Sequence, residues 1–111
     1  MARIVWDDFE KVEIRVGIIR TVDEFPRARK PSYRLTIDFG SYGEKRSSAA
    51  IRPFYTKEEL VGRQVVCVTN FPSKQIADFV SEVLTLGVME TGGRIVLLRP
   101  DKTAEIGGRI G

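Results

Sequence analysis

Hydrophobic residues recur every second position over much of the chain. Val12, Ile14, Val16 and Ile18 alternate with Glu13, Arg15 and Gly17, the pattern of a half-buried strand. Gly17 within that run predicts a bend or bulge, as a sheet curling into a small barrel requires. Tyr33, Leu35, Ile37 and Phe39 alternate with Arg34, Thr36 and Asp38, the cleanest strand pattern in the chain. Gly40-Ser41-Tyr42-Gly43 has turn chemistry and leads into a return strand near 45–52. Val65 to Phe71 is a short apolar run rich in β-branched residues, which predicts a buried strand. Ser81 to Val88 predicts another. Gly92-Gly93 predicts a hairpin turn into Arg94–Leu98.

Helical signals are few. Thr56-Lys57-Glu58-Glu59 has the Thr-x-x-Glu spacing of a capping box, with Leu60 next and Gly62 placed to stop the helix. One short helix is therefore expected near 56–61. Asp7-Asp8-Phe9-Glu10 has the makings of a single helical turn. Three strands, a short helix and then further strands match an all-β architecture: a five-stranded Greek-key barrel, the OB-fold, with N- and C-terminal extensions. An SH3-like barrel or half-barrel competes, and the helix between the third and fourth strands favours the OB-fold.

The 111 residues fit one domain, 1–111, large enough to bury a core without cross-links. The chain has no histidine, which removes Ser-His-Asp and Cys-His catalysis and His-containing zinc sites. The single cysteine, Cys67, lies within Val65-Val66-Cys67-Val68 and reads as a small buried hydrophobe suited to a reducing compartment. No glycine-rich phosphate loop and no metal-loop spacing of carboxylates is present, so neither a cofactor nor a metal is expected, and the chain is read as non-catalytic. No segment has the length of a membrane span, and the start of the chain turns acidic at once. A cytoplasmic protein without membrane insertion is expected.

The net charge is only +3, but it is unevenly placed. Residues 27–52 contain Arg27, Arg29, Lys30, Arg34, Lys45, Arg46 and Arg52 against Asp38 and Glu44, while the segments on either side carry no positive excess. Such a patch is either the electrostatic footprint of a polyanion partner or a solvated surface loop that keeps the protein soluble, and charge alone does not choose between them. On an OB barrel, the second and third strands and the loop before them form the oligonucleotide-binding face. Candidate phosphate contacts are therefore Arg29, Lys30, Arg34, Lys45, Arg46 and Arg52. Candidate stacking aromatics are Tyr33, Tyr42, Phe54 and Tyr55. Tyr33 is in phase with the core and Phe54 is expected to pack under the helix.

A second group is Asn70-Phe71-Pro72-Ser73-Lys74 with Ser81-Glu82. An amide can pair with a base edge and Lys74 can reach a phosphate. Equally, Asn70 can turn the chain before Pro72, and Ser81 and Glu82 can simply begin a surface strand.

Taken together, these residues resemble a known family. Asp8-Phe9-Glu10-Lys11-Val12-Glu13-Ile14-Arg15-Val16-Gly17 resembles the opening of tRNA-binding OB domains, including those appended to many methionyl-tRNA synthetases. Phe25-Pro26-Arg27-Ala28-Arg29-Lys30-Pro31, Ile37-Asp38-Phe39-Gly40, Ser47-Ser48-Ala49 and Asn70-Phe71-Pro72 narrow the likeness to the secretion-associated CsaA proteins. Ile76-Ala77, Phe79, Ser81-Glu82-Val83-Leu84 and Leu97-Leu98-Arg99-Pro100-Asp101 fit as well. The resemblance implies a homodimer that binds tRNA and acts as an export chaperone for unfolded preproteins. It places Asn70, Ser81 and Glu82 on the RNA-facing motif, with Ser48 and Lys74 beside them. The chain departs from the pattern at Ala49-Ala50, Ser73 and Asp78. The glycine-rich tail, Ala104 to Gly111, has too few apolar residues for a core of its own and is expected against a partner subunit.

Overall fold

The computed structural model describes all residues, Met1–Gly111. In order, the elements are α1 (Trp6–Glu10), β1 (Ile14–Glu24), β2 (Tyr33–Asp38), a 3₁₀ turn (Gly40–Tyr42), β3 (Glu44–Ala49) and α2 (Lys57–Leu60). Six strands follow: β4 (Gln64–Val68), β5 (Lys74–Ile76), β6 (Phe79–Ser81), β7 (Leu84–Thr85), β8 (Gly87–Met89) and β9 (Ile95–Leu97). The main sheet runs β3-β2-β1-β4-β7, all antiparallel, and curls into a nearly closed five-stranded barrel consistent with the OB-fold. No helix is long and apolar enough to cross a membrane.

Strand β1 is long enough to serve two neighbours. Its first half pairs with β4 and its second half with β2. The expected bulge occurs, but between Ile19 and Thr21 rather than at Gly17. Gly17 has a different reason to be glycine. A Cβ there would overlap Ile37 Cγ2 and come within 2.8 Å of the Phe39 ring. Two large core side chains pack directly onto its backbone.

The alternation in β2 is obeyed along its length. Tyr33, Leu35 and Ile37 are buried while Arg34, Thr36 and Asp38 face outward. The core joins these to Ile19, Val22, Phe39, Ile51, Val65, Cys67, Val83 and Leu97. Leu60 of α2 completes it, fully buried. The helix starts as its sequence dictates. Thr56 Oγ1 accepts from the Glu59 N–H at 3.2 Å, and the Glu59 carboxylate accepts from the Thr56 N–H at 2.8 Å.

One expectation needs correction. The run predicted as one strand over 81–88 is three short pieces, β6, β7 and β8, because the chain bends at Val83 and strand pairing lapses again at Leu86. The hairpin of β5 and β6 has no alternation long enough to announce it. The tail is tied to its own barrel. The Gly107 N–H donates to the Val16 carbonyl at 2.7 Å, and the Ile110 N–H to the Ile14 carbonyl at 2.8 Å. It occupies the edge of β1 where β2 has already ended, so those backbone groups gain partners. Arg15 Nη1 donates to the Gly107 carbonyl at 2.8 Å and stacks its guanidinium on the Tyr42 ring at 3.8 Å, clamping the tail.

Candidate nucleic-acid interface

The seam between β3 and the β5–β6 hairpin is closed by side chains rather than by a strand ladder. The Arg46 N–H donates to Glu82 Oε1 at 3.0 Å, and the Ser48 N–H donates to Ser81 Oγ at 3.2 Å. In return, the Glu82 N–H donates to the Arg46 carbonyl at 2.8 Å. Deeper in the seam, the Ser47 and Thr85 hydroxyls meet at 2.8 Å. Ser81 and Glu82 therefore satisfy the otherwise open edge of β3.

A groove of about 570 Å³ runs along this seam, lined by Ser48, Phe71, Pro72, Lys74, Ile76, Ser81, Glu82, Val83 and Leu84. Lys74 and Ser81 stand opposite each other across the hairpin. Next to the groove, Arg46 and Arg34 share the outer face of β2 and β3, in register with Thr36 and Ser48 respectively. The Arg46 guanidinium lies 4.4 Å over the Phe79 ring and that of Arg34 lies 5.7 Å over the Phe25 ring. The two rings pack together, centroids 5.4 Å apart. The structure thus brings Arg34, Arg46, Ser48, Lys74, Ser81 and Glu82 to one surface.

The other candidates stand apart from it. Lys45 alternates with Arg46 and lies in register with buried Ile37, so it belongs to the opposite side of the sheet. Arg52 pairs with Glu24 at 3.3 Å, which also meets Lys57 at 3.7 Å. Arg29 and Lys30 are exposed in the loop between β1 and β2. Asn70 is exposed, but its amide is taken up by the backbone: its Oδ1 accepts from the Glu13 N–H at 2.9 Å and its Nδ2 donates to the Lys11 carbonyl at 2.7 Å. That ties the end of β4 to the lead-in of β1.

Of the candidate aromatics, Tyr33 is buried and donates its hydroxyl to the Tyr55 carbonyl at 2.9 Å. The Tyr55 hydroxyl accepts from the Leu97 N–H at 3.0 Å. Phe54, expected beneath the helix, is exposed. The aromatics that matter to this surface are Phe79 and Phe25, under the arginines, and exposed Phe71 in the groove. Phe79 sits in a hairpin strand too short to show a period, so only the family likeness marks it in the sequence.

Charge pairing separates the basic residues more sharply than composition does. Arg15, Arg20, Lys57, Arg63 and Arg94 each have a carboxylate within ion-pair distance. In the basic stretch, only Arg52 does. Arg27, Arg29, Lys30, Arg34, Lys45 and Arg46 keep their charge uncompensated. Shifted acids lie elsewhere. The Gly40 N–H and the Arg20 guanidinium hold the Asp38 carboxyl below its ordinary value. Burial pushes the Cys67 thiol up to about 12.

The family model for the tRNA binding domain matches residues 14–109. Methionine–tRNA ligases are among the similar proteins. That of Methanosarcina acetivorans is 32% identical over 99% of this chain, and that of Pelodictyon phaeoclathratiforme 38% over 96%. The chain spans only 15% of the length of each. Solved structures match from end to end. The chaperone CsaA of Bacillus anthracis is 44% identical with a TM-score of 0.94, covering 99% of this chain and 100% of that one. The CsaA chaperone of Picrophilus torridus is 47% identical with a TM-score of 0.91, covering 98% and 100%. With its barrel and nearly its whole length matched in this way, the chain belongs to the tRNA-binding-domain family and, within it, to the CsaA group.

Proposed function

We propose that this protein is a non-catalytic RNA-binding module that takes tRNA on the face formed by β2, β3 and the β5–β6 hairpin. The observation that carries this reading is the set of uncompensated cations on and beside that face. Arg34, Arg46 and Lys74 supply phosphate contacts, and Arg29 and Lys30 extend the field from the neighbouring loop. Ser81, Glu82 and Asn70 act mainly as braces that fix the shape of the face. With about four phosphates neutralised, log K falls with log salt at a slope near −3 to −4. Filter binding of tRNA over a salt series tests this, and a flat dependence rejects it. Substituting Arg34, Arg46 and Lys74 together weakens binding; unchanged affinity places the interface elsewhere.

A second activity, capture of unfolded polypeptide as in an export chaperone, is favoured by the groove itself. Phe71, Pro72, Ile76 and Leu84 give it an apolar floor, and Phe71 and Leu84 are about half exposed. Binding by that floor persists at salt that abolishes RNA binding. A competition between tRNA and an unfolded client across a salt series separates the two activities.

A homodimer is part of the same proposal. Ile4, Val5 and Trp6 are largely exposed and, with Phe9 and Gly111, border an apolar hollow of about 780 Å³. A second copy covering this hollow removes the exposed apolar surface and presents two cationic faces on one particle. Sedimentation equilibrium at micromolar concentration reads a dimer; a monomer there removes this part. Function in the cytoplasm fits a buried free thiol and a tRNA partner.

A further inference from the structure

Between β1, β2 and β3 lies a small polar depression of about 340 Å³, lined by Asp23, Arg34, Leu35, Thr36, Arg46 and Phe79. It adjoins the seam groove but has none of its apolar floor. Arg34 and Arg46 are diagonal neighbours on one sheet face, within reach of a common ligand. Each guanidinium is held over an aromatic ring, and the two rings brace each other. Two long side chains are thereby restrained before any ligand arrives, which lowers the entropic cost of binding. Neither arginine has an acidic partner. Asp23 faces Arg34 in register and lines the depression, yet it lies outside ion-pair distance of both. Arg34 Nε is closed off from solvent with no acceptor. A cation partly withdrawn from water with an unmet donor is unfavourable, and an anion at the guanidinium end in the depression offsets its charge.

We propose that this depression is a phosphate seat, in which Arg34 and Arg46 clamp one phosphate group of the bound RNA backbone between two guanidinium forks, with the Thr36 hydroxyl as a further donor. Arginine rather than lysine suits this role, because its planar fork meets phosphate oxygens in pairs. Asp23 opposes the bound charge and keeps the seat from holding free anions tightly. The assignment of the phosphate to RNA rests on the RNA-binding reading above; the seat itself does not.

The test uses the full chain and two probes. Inorganic phosphate is titrated while the arginine Nε signals are followed by NMR, and tRNA binding is measured over a salt series. Phosphate is expected to shift the Arg34 and Arg46 signals saturably. R46Q abolishes the response at Arg34, and D23N tightens phosphate binding roughly threefold, the effect of one unit charge about 7 Å away in water. R34Q and R46Q each take about 0.7–0.9 from the salt slope for tRNA. R34K keeps that slope but binds more weakly, and R99Q changes neither measurement. A phosphate response that never saturates, or that survives R46Q, overturns the seat. A full salt slope for tRNA in both R34Q and R46Q overturns the placing of an RNA phosphate in the seat and leaves the RNA reading standing. Saturable phosphate binding without any tRNA binding overturns the RNA assignment and leaves only an anion site.

Discussion

Replacing Glu82 separates bracing from recognition at the seam. Its carboxylate accepts from the Arg46 N–H at 3.0 Å, while its own N–H bonds the Arg46 carbonyl and is untouched by a side-chain change. Glu82→Ala removes one acceptor. Because the seam is open to water, the cost is that of an ordinary net hydrogen bond, about 1 kcal/mol. For a domain of this size that lowers Tm by about 4 °C. Glu82→Gln keeps an oxygen in place and costs roughly half as much or less. It also removes a negative charge beside Arg46 and Lys74, so tRNA binding at low salt tightens about two- to threefold. Thermal melts followed by circular dichroism give the first quantity, and fluorescence anisotropy with labelled tRNA gives the second. The reasoning fails if Gln destabilises as much as Ala. It fails equally if Gln leaves Tm unchanged but weakens tRNA binding tenfold, since the carboxylate would then be reading the RNA directly.

Other substitutions probe the frame around that surface. Ala77, at φ 52° in the β5–β6 turn, is a non-glycine residue in the left-handed region. Ala77→Gly therefore stabilises the protein by about 0.5–1 kcal/mol in urea unfolding, and any loss of stability contradicts the geometry. Leu60→Ala empties the fully buried site under α2 and costs about 2–5 kcal/mol in the same assay; a cost under about 1 kcal/mol shows that the helix does not anchor the core. Asp38 titrates below its unfolded value, so its contribution is present above the usual carboxylate range and is lost as pH falls through the folded value. Asp38→Asn accordingly flattens the acid end of the stability–pH curve, read by urea titrations between about pH 5 and pH 2. An unchanged curve would mean that the contacts to Gly40 and Arg20 do not persist in solution.

The chain's own pattern fixed the parts of the fold whose cause is local or periodic. β2 alternates because one of its faces is core, and the alternation is written in Tyr33, Leu35 and Ile37. Helix α2 begins at Thr56 because a Thr and a Glu three residues apart cap each other. The cationic stretch over 27–52 is likewise plain in the residues. What they could not convey is which of those cations meet. That depends on strand register, which sends Lys45 to one side of the sheet and Arg46 to the other. It depends also on Glu24 coming within ion-pair distance of Arg52 while no carboxylate comes that close to Arg34. The seam was equally hidden. Asn70, Ser81 and Glu82 have the chemistry of readout residues, yet their partners are backbone groups 33 to 59 positions away. Polar side chains declare what they are able to bond; only long-range folding decides which donors are left open nearby and therefore what they do bond.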